Sequence, residues 1–138
     1  MQKHSNYYLS WSDFDVYVET IVTATEQQGL KFTGVAGFPR GGLPLAVSLS
    51  HRLGIPFLNF NELFKPVHHT EHVHYLLVDD ISDSGKTFLH TLAELPVEAL
   101  VSTAALVRRY NSAFVPRFVG TVIDSDDWIV FPWEQKII

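Results

Sequence analysis

The sequence predicts an α/β domain with a central, mainly parallel sheet flanked by helices. Apolar runs of strand length alternate with segments of helical period, the order that a parallel sheet with helical crossovers requires. Tyr75-Leu76-Leu77-Val78 is apolar at every position and stops abruptly at Asp79-Asp80, the pattern of a strand buried on both faces. Glycine and proline fall at the joints, as in Pro39-Arg40-Gly41-Gly42 and Gly54-Ile55-Pro56.

Each element has its own signal. Ser10 and Asp13 stand at capping-box spacing before Phe14, Val18, Ile21 and Val22, which recur with helical period; Gly29 can end that helix. Phe32–Gly37 reads as a buried strand and Pro39–Gly42 as a turn. Leu43–Leu53 reads as a helix stopped by Gly54, with Pro56 beyond. Phe57–Phe60 reads as a strand, and the polar, histidine-rich Glu62–His74 as a loop. After the strand Tyr75–Val78 come a small-residue turn, Ser82–Thr87, and a helix, Phe88–Leu95. Two further apolar runs, Ala99–Val107 and Phe118–Ile123, complete the strand set, and the tail carries Trp128, Phe131, Pro132 and Trp133. Trp11, Phe131 and Trp133 are expected in the core. Ligands of such sheets bind at the carboxyl ends of strands. That directs attention to Pro39–Gly42, Asp79–Thr87 and Arg108-Arg109.

The 138 residues fit one domain spanning 1–138, without repeats or low-complexity linkers. With 46% hydrophobic and 18% charged residues the chain is expected to fold on its own core. It has no cysteine, which excludes disulfides, thiolate metal sites and a cysteine nucleophile. Met1–Asn6 lacks the apolar stretch of a secretory signal, and no apolar run approaches the ~20 residues that span a bilayer. A cytoplasmic location without membrane attachment is expected. The formal net charge of -5 argues against nucleic acid as a partner but leaves phosphate-bearing small molecules open.

The densest chemistry lies in Leu77-Val78-Asp79-Asp80-Ile81-Ser82-Asp83-Ser84-Gly85-Lys86-Thr87. Two adjacent carboxylates repel unless a cation or a row of donors offsets them; a hydrated magnesium ion or a ribose diol would do so. The following turn leads into a helix, so its backbone N–H groups and the positive helix end suit a phosphate, with Ser84 and Thr87 adding hydroxyls. A Walker A loop would need glycine where Asp80 stands, and no GxGxxG surrounds Gly34, Gly37, Gly41 or Gly42.

Val78–Thr87 resembles the 5-phosphoribosyl-1-pyrophosphate (PRPP) binding motif of the type I phosphoribosyltransferases. Gly37-Phe38-Pro39-Arg40-Gly41-Gly42-Leu43 resembles that family's pyrophosphate loop. Trp128-Ile129-Val130-Phe131-Pro132-Trp133-Glu134 resembles the C-terminal segment of the bacterial xanthine-guanine enzymes. The resemblance implies a type I phosphoribosyltransferase-like fold, with a small hood from the N- and C-terminal segments. It also implies transfer of phosphoribose from PRPP to guanine, xanthine or hypoxanthine in purine salvage, with Mg2+ as cofactor and self-association as a homodimer or homotetramer. Asp79 and Asp80 would hold the ribose hydroxyls and the metal. Asp83, Ser84, Gly85, Lys86 and Thr87 would wrap the 5'-phosphate, without a separate chemical role for Lys86. Arg40 and Gly41 would meet pyrophosphate, often in this family through a non-proline cis peptide. Asp83 would sit near N7 of the base and relay its proton. Trp128 would stack on the purine and the Ile129 carbonyl would read its exocyclic group.

Two departures from the family pattern bear on the substrate. The 6-oxo group usually meets a lysine, whereas here Val107 is followed by Arg108-Arg109, and counting back from Trp128 favours Arg109. The loop that closes over the reaction is short and carries His68, His69, His72 and His74; a polar loop is the expected reading and a zinc site its rival. A PRPP-sensing regulatory protein that binds nucleic acid, and a phosphoribosyltransferase for another base, are the alternative functions.

Overall fold

The computed structural model describes residues 5–135; Met1–His4, read above for a targeting signal, lie outside the described residues. The elements follow in the order β1 (Asn6–Tyr8), α1 (Trp11–Gln27), β2 (Gly34–Gly37), α2 (Leu43–Leu53), β3 (His74–Ser82), α3 (Lys86–Glu94), β4 (Leu100–Arg109), β5 (Phe118–Ile123) and β6 (Trp128–Val130). Among the described residues no helix is long and apolar enough to cross a membrane.

The sequence signals act where they were read. The Ser10 hydroxyl accepts from Asp13 N (3.0 Å), and Ser10 N donates to Asp13 Oδ2 (2.9 Å), a reciprocal cap worth about 1 kcal/mol. Gly54 caps α2 in the left-handed region at φ 66°, which glycine adopts without Cβ strain.

The main sheet is fully parallel in the order β2-β3-β4-β5. Leu45 and Leu49 of α2 and Phe14, Val18 and Ile21 of α1 pack on one face against Val35, Leu76, Val78 and Leu106. Phe88 of α3 and Leu63 pack on the other face against Ala36, Leu77 and Ala105. After β2 the chain bridges Phe57 to Val35 on one edge of that strand and then returns as β3 on the other, so its direction across the sheet reverses there. Such a switch point opens a crevice at the strand ends. β1 and β6 form a separate parallel pair, Asn6 opposite Trp128 and Tyr8 opposite Val130, which is the hood.

Three expectations need correction. Phe57–Phe60 is not a strand. Phe57 makes a single bridge to Val35, and Phe60–Phe64 then winds into a 3-10 helix entered through extended Asn59, burying Leu63. Proline before this segment and asparagines within it disfavour a longer ladder. Second, β3 and β4 outrun their apolar stretches. Asp79 pairs with Ala105 and Ser82 with Arg108, so Asp79, Asp80, Arg108 and Arg109 lie on strands rather than after them. Third, Trp11 is 55% exposed. It packs edge-on against Phe14 and beside Trp133, which stacks on buried Phe131 (ring centroids 5.0 Å apart); this cluster anchors the hood.

Candidate active site

The switch point is built by two loops that press together. Phe38 N donates to Val78 O (3.0 Å), carrying the β2–β3 pairing into the turn, and Gly42 N closes the turn on Phe38 O (2.8 Å). The Pro39–Arg40 peptide is cis. A Cβ on Gly42 would lie 2.8 Å from Val78 O, and one on Gly41 would lie 2.8 Å from Asp80 Cγ and closer still to Oδ2. The Pro39–Gly42 turn thus reaches the acidic pair only because those two positions lack side chains.

Asp79 and Asp80 are held by local bonds, Asp80 N to Asp79 Oδ1 (2.9 Å) and Ile81 N to Asp80 Oδ1 (2.8 Å). Burial, followed by the charge of Asp80, pushes the Asp79 carboxyl up to about 8. Asp80 is raised too, chiefly by burial, and the nearby carboxylate of Glu134 also raises it. Glu134 was not singled out in the sequence. The signal that could have found it is the lone acid closing the segment Trp128–Glu134.

The turn after β3 is braced from behind. The Ser82 and Ser112 hydroxyls lie 2.9 Å apart and both reach Phe114 O, at 2.9 and 2.8 Å. Ala113 N donates to Ser84 O (3.0 Å). Gly85, at φ 87°, packs so closely on this loop that a Cβ would lie 2.5 Å from Phe114 N. No motif in the sequence marks Ser112 or Phe114. Asp83, Ser84, Lys86 and Thr87 are exposed around the start of α3, whose Gly85 N-cap supplies no side-chain acceptor for the first-turn N–H groups.

Beside this turn a cavity of about 200 Å³ is lined by Asp80, Asp83, Arg109, Trp128, Ile129 and Glu134 among others. A larger cleft of about 630 Å³ adjoins it, bounded by Arg40, Gly41, Asp80, Trp133 and Glu134. Trp128 is 68% exposed while Ile129 and Phe131 are buried, so the hood offers one aromatic face and anchors itself with the alternate residues. Arg109 donates from Nε to Asp83 Oδ1 (3.2 Å). Of the sequence-predicted site residues, Asp80, Asp83, Arg109, Trp128 and Ile129 line the smaller hollow and Arg40, Gly41 and Asp80 the larger, whereas Asp79, Ser84, Gly85, Lys86 and Thr87 line neither.

The chain has the type I phosphoribosyltransferase fold. A purine phosphoribosyltransferase from Pyrococcus horikoshii is 29% identical and superposes with a TM-score of 0.77, covering 97% of each chain. The Helicobacter pylori xanthine-guanine-hypoxanthine phosphoribosyltransferase is 22% identical, with a TM-score of 0.76 over 96% of this chain and 94% of that one. A Neisseria gonorrhoeae protein with bound ppGpp is 19% identical, with a TM-score of 0.81 over 98% and 92%. No protein-family model and no curated protein matches the chain. The phosphoribosyltransferase fold is that of an enzyme class, and this chain spans nearly the whole of it.

Among the described residues no three His, Cys, Asp or Glu side chains could hold a metal between them. His68 Nδ1 instead lies 2.7 Å from Thr70 Oγ1, and His74 Nε2 lies 2.7 Å from Ser102 Oγ. The adjacent carboxylates of Asp79 and Asp80 are a donor pair that fits magnesium. That ion keeps its waters and is commonly held by one or two carboxylates plus substrate phosphates rather than by a protein cage.

Proposed function

We propose that residues 1–138 act as one domain that transfers phosphoribose from PRPP to a 6-oxopurine, releasing pyrophosphate. The observation that carries this reading is the meeting of Asp79-Asp80, the Asp83–Thr87 turn and the Arg40-Gly41 loop at the switch point, next to a cavity faced by Trp128.

Asp79 and Asp80 hold the ribose hydroxyls and would hold magnesium. The free N–H groups at the start of α3, with Ser84 and Thr87, hold the 5'-phosphate. Arg40 and Gly41 face the leaving pyrophosphate. Departure of that group builds positive charge on the ribose ring and negative charge on the leaving oxygens. The buried acids tolerate the former and Arg40 offsets the latter. Bound magnesium would supply charge neutralisation of the diphosphate. Asp83 takes the N7 proton of the incoming base, Trp128 stacks on it, Ile129 O reads the exocyclic group and Arg109 donates to the 6-oxo oxygen. Cytoplasmic purine salvage and a homodimeric or homotetrameric assembly accompany this reading.

A second reading, a nucleotide or PRPP sensor that keeps the fold, is favoured by one observation, the ppGpp bound to the Neisseria protein. One assay separates the two. The protein is incubated with PRPP, magnesium and, separately, guanine, xanthine, hypoxanthine, adenine, uracil or orotate, and nucleotide and pyrophosphate are measured. Nucleotide from a 6-oxopurine, abolished by Asp83→Asn, supports the transferase. Thermal protection by PRPP or ppGpp with no product from any base supports the sensor. Neither product nor protection rejects both.

A further inference from the structure

We infer that Arg109 is a positioning residue that ties the base-facing hood to Asp83, and so fixes the shape of the base cavity and the polarity of the group it accepts. The inference deepens the proposed function and rests on it for the identity of the base.

Arg109 ends β4 opposite Ile123 and is only 7% exposed. Its guanidinium is largely committed to protein. Nε donates to Asp83 Oδ1 (3.2 Å), while one terminal nitrogen donates to both Ser125 O (2.8 Å) and Asp127 O (2.9 Å). A guanidinium has five N–H donors in a rigid plane. Three are spent in this way, and the two on the other terminal nitrogen remain for a ligand of the cavity that Arg109 lines.

The three contacts join separate parts of the chain. Ser125 and Asp127 belong to the turn between β5 and β6, and Asp127 immediately precedes Trp128. Asp83 belongs to the phosphate turn after β3. The side chain of Asp83 is 62% exposed, so its ion pair with Arg109 contributes little to stability. Its value is geometric: one carboxylate oxygen is held by Arg109 and the other is left to face the base. The two carbonyl bonds, made by a buried cation, hold the turn that delivers Trp128 and Ile129 to the cavity, while β1 pairs those residues from the other side. Within the turn itself, Asp127 N to Ser125 Oγ is a long 3.4 Å; the next firm backbone bond is Trp128 N to Ser5 O (2.9 Å), where β6 meets the β1 side.

Two consequences follow for recognition. The free donors of Arg109 can meet only an acceptor, so an oxo group is favoured at that point and an exocyclic amine is opposed. A lysine, with all donors on one atom, cannot span Asp83 and both carbonyls, so the substitution is not conservative here.

The test is Arg109→Lys, read in two ways. Amide hydrogen exchange over residues 124–129 reads the clamp without reference to activity, and is expected to quicken at least tenfold relative to α1 and β3. Steady-state kinetics should show base KM raised tenfold or more, PRPP KM within twofold, and a lower preference for 6-oxo over 6-amino purines. Unchanged exchange at 124–129 overturns the clamp. So does a parallel rise in both KM values together with faster exchange throughout the fold, which marks a residue that only holds the protein together. If the wild-type protein transfers to no base, the proposed function fails and the exchange result still decides the clamp. If Arg109→Lys does not fold, Asp83→Ala, at an exposed position, takes its place: removing one anchor should quicken exchange at 124–129, and unchanged exchange there overturns the inference.

Discussion

Replacing Gly41 with alanine should disable the site while leaving the fold intact. Gly41 does not adopt a positive φ, so alanine fits the backbone there. Removing a glycine from a compatible position tends to stabilise by roughly 0.4–1 kcal/mol through the unfolded chain. The collision is with chemistry. The new methyl would stand 2.8 Å from Asp80 Cγ, where ordinary contact begins at 3.4 Å, and nearer still to Oδ2. Either the carboxylate swings away or the Arg40-Gly41 loop retreats from it. A displacement of that order at reacting groups costs about 100-fold. The expected result is a kcat/KM for PRPP reduced about 100-fold, a higher magnesium requirement and a melting temperature no lower than wild type. Gly29→Ala is the contrasting control. Its φ is +63° with nothing within 4 Å of a new Cβ, so it should lower the melting temperature and leave kcat/KM alone. Wild-type kinetics in Gly41→Ala, or a loss of activity that merely tracks unfolding, would refute the reasoning.

Trp128→Ala should change stability little, because the ring is 68% exposed, yet raise base KM about tenfold or more, since stacking on an aromatic is worth roughly 1–3 kcal/mol per base; melting and base titration check both halves. Ser112→Ala removes a buried hydroxyl that braces the phosphate turn, and should cost about 1–2 kcal/mol in denaturant unfolding and raise PRPP KM more than base KM. Asp79→Asn should stabilise the ligand-free protein increasingly as pH rises. A carboxyl raised from 3.8 to about 8 in the fold contributes most below its unfolded value and loses that contribution as pH climbs to 8. Melting scans from pH 5 to 8 should therefore show the gap between variant and wild type widening upward.

The parts legible in the sequence are those encoded locally. The Ser10–Asp13 box, the Leu43–Leu53 helix with its Gly54 cap and the Phe118–Ile123 strand stand where their residues predict, because caps and periodicity act within a few positions. The Asp79–Thr87 signal was legible because strand, acids and turn are contiguous. Strand ends were not, since hydrogen-bond ladders continue past the last apolar residue when a partner strand does, as Asp79 opposite Ala105 shows. The Ser112–Phe114 brace and the commitments of Arg109 were hidden for a similar reason. Each joins segments far apart in sequence, with no spacing rule to announce it.

The acidic pair shows why the site and the fold are tuned against each other. Two carboxylates on a strand buried among helices would be replaced readily if stability alone selected them. Burial holds both above the ordinary carboxylate range, helped by the charge of Asp80 at Asp79 and by that of Glu134 at Asp80. The fold nevertheless builds toward them: glycines at 41 and 42 let a second loop approach, and Glu134 from the hood adds a further negative charge. No cation of the described chain forms an ion pair with either acid; the two ion pairs found are Arg52–Glu19 and Arg109–Asp83. A ligand that brings positive charge to the pair would therefore stabilise the fold on binding. Magnesium with PRPP should accordingly raise the melting temperature more at pH 8, where Asp79 has begun to ionise, than at pH 5. Equal protection at both values would mean that the pair does not take part in binding.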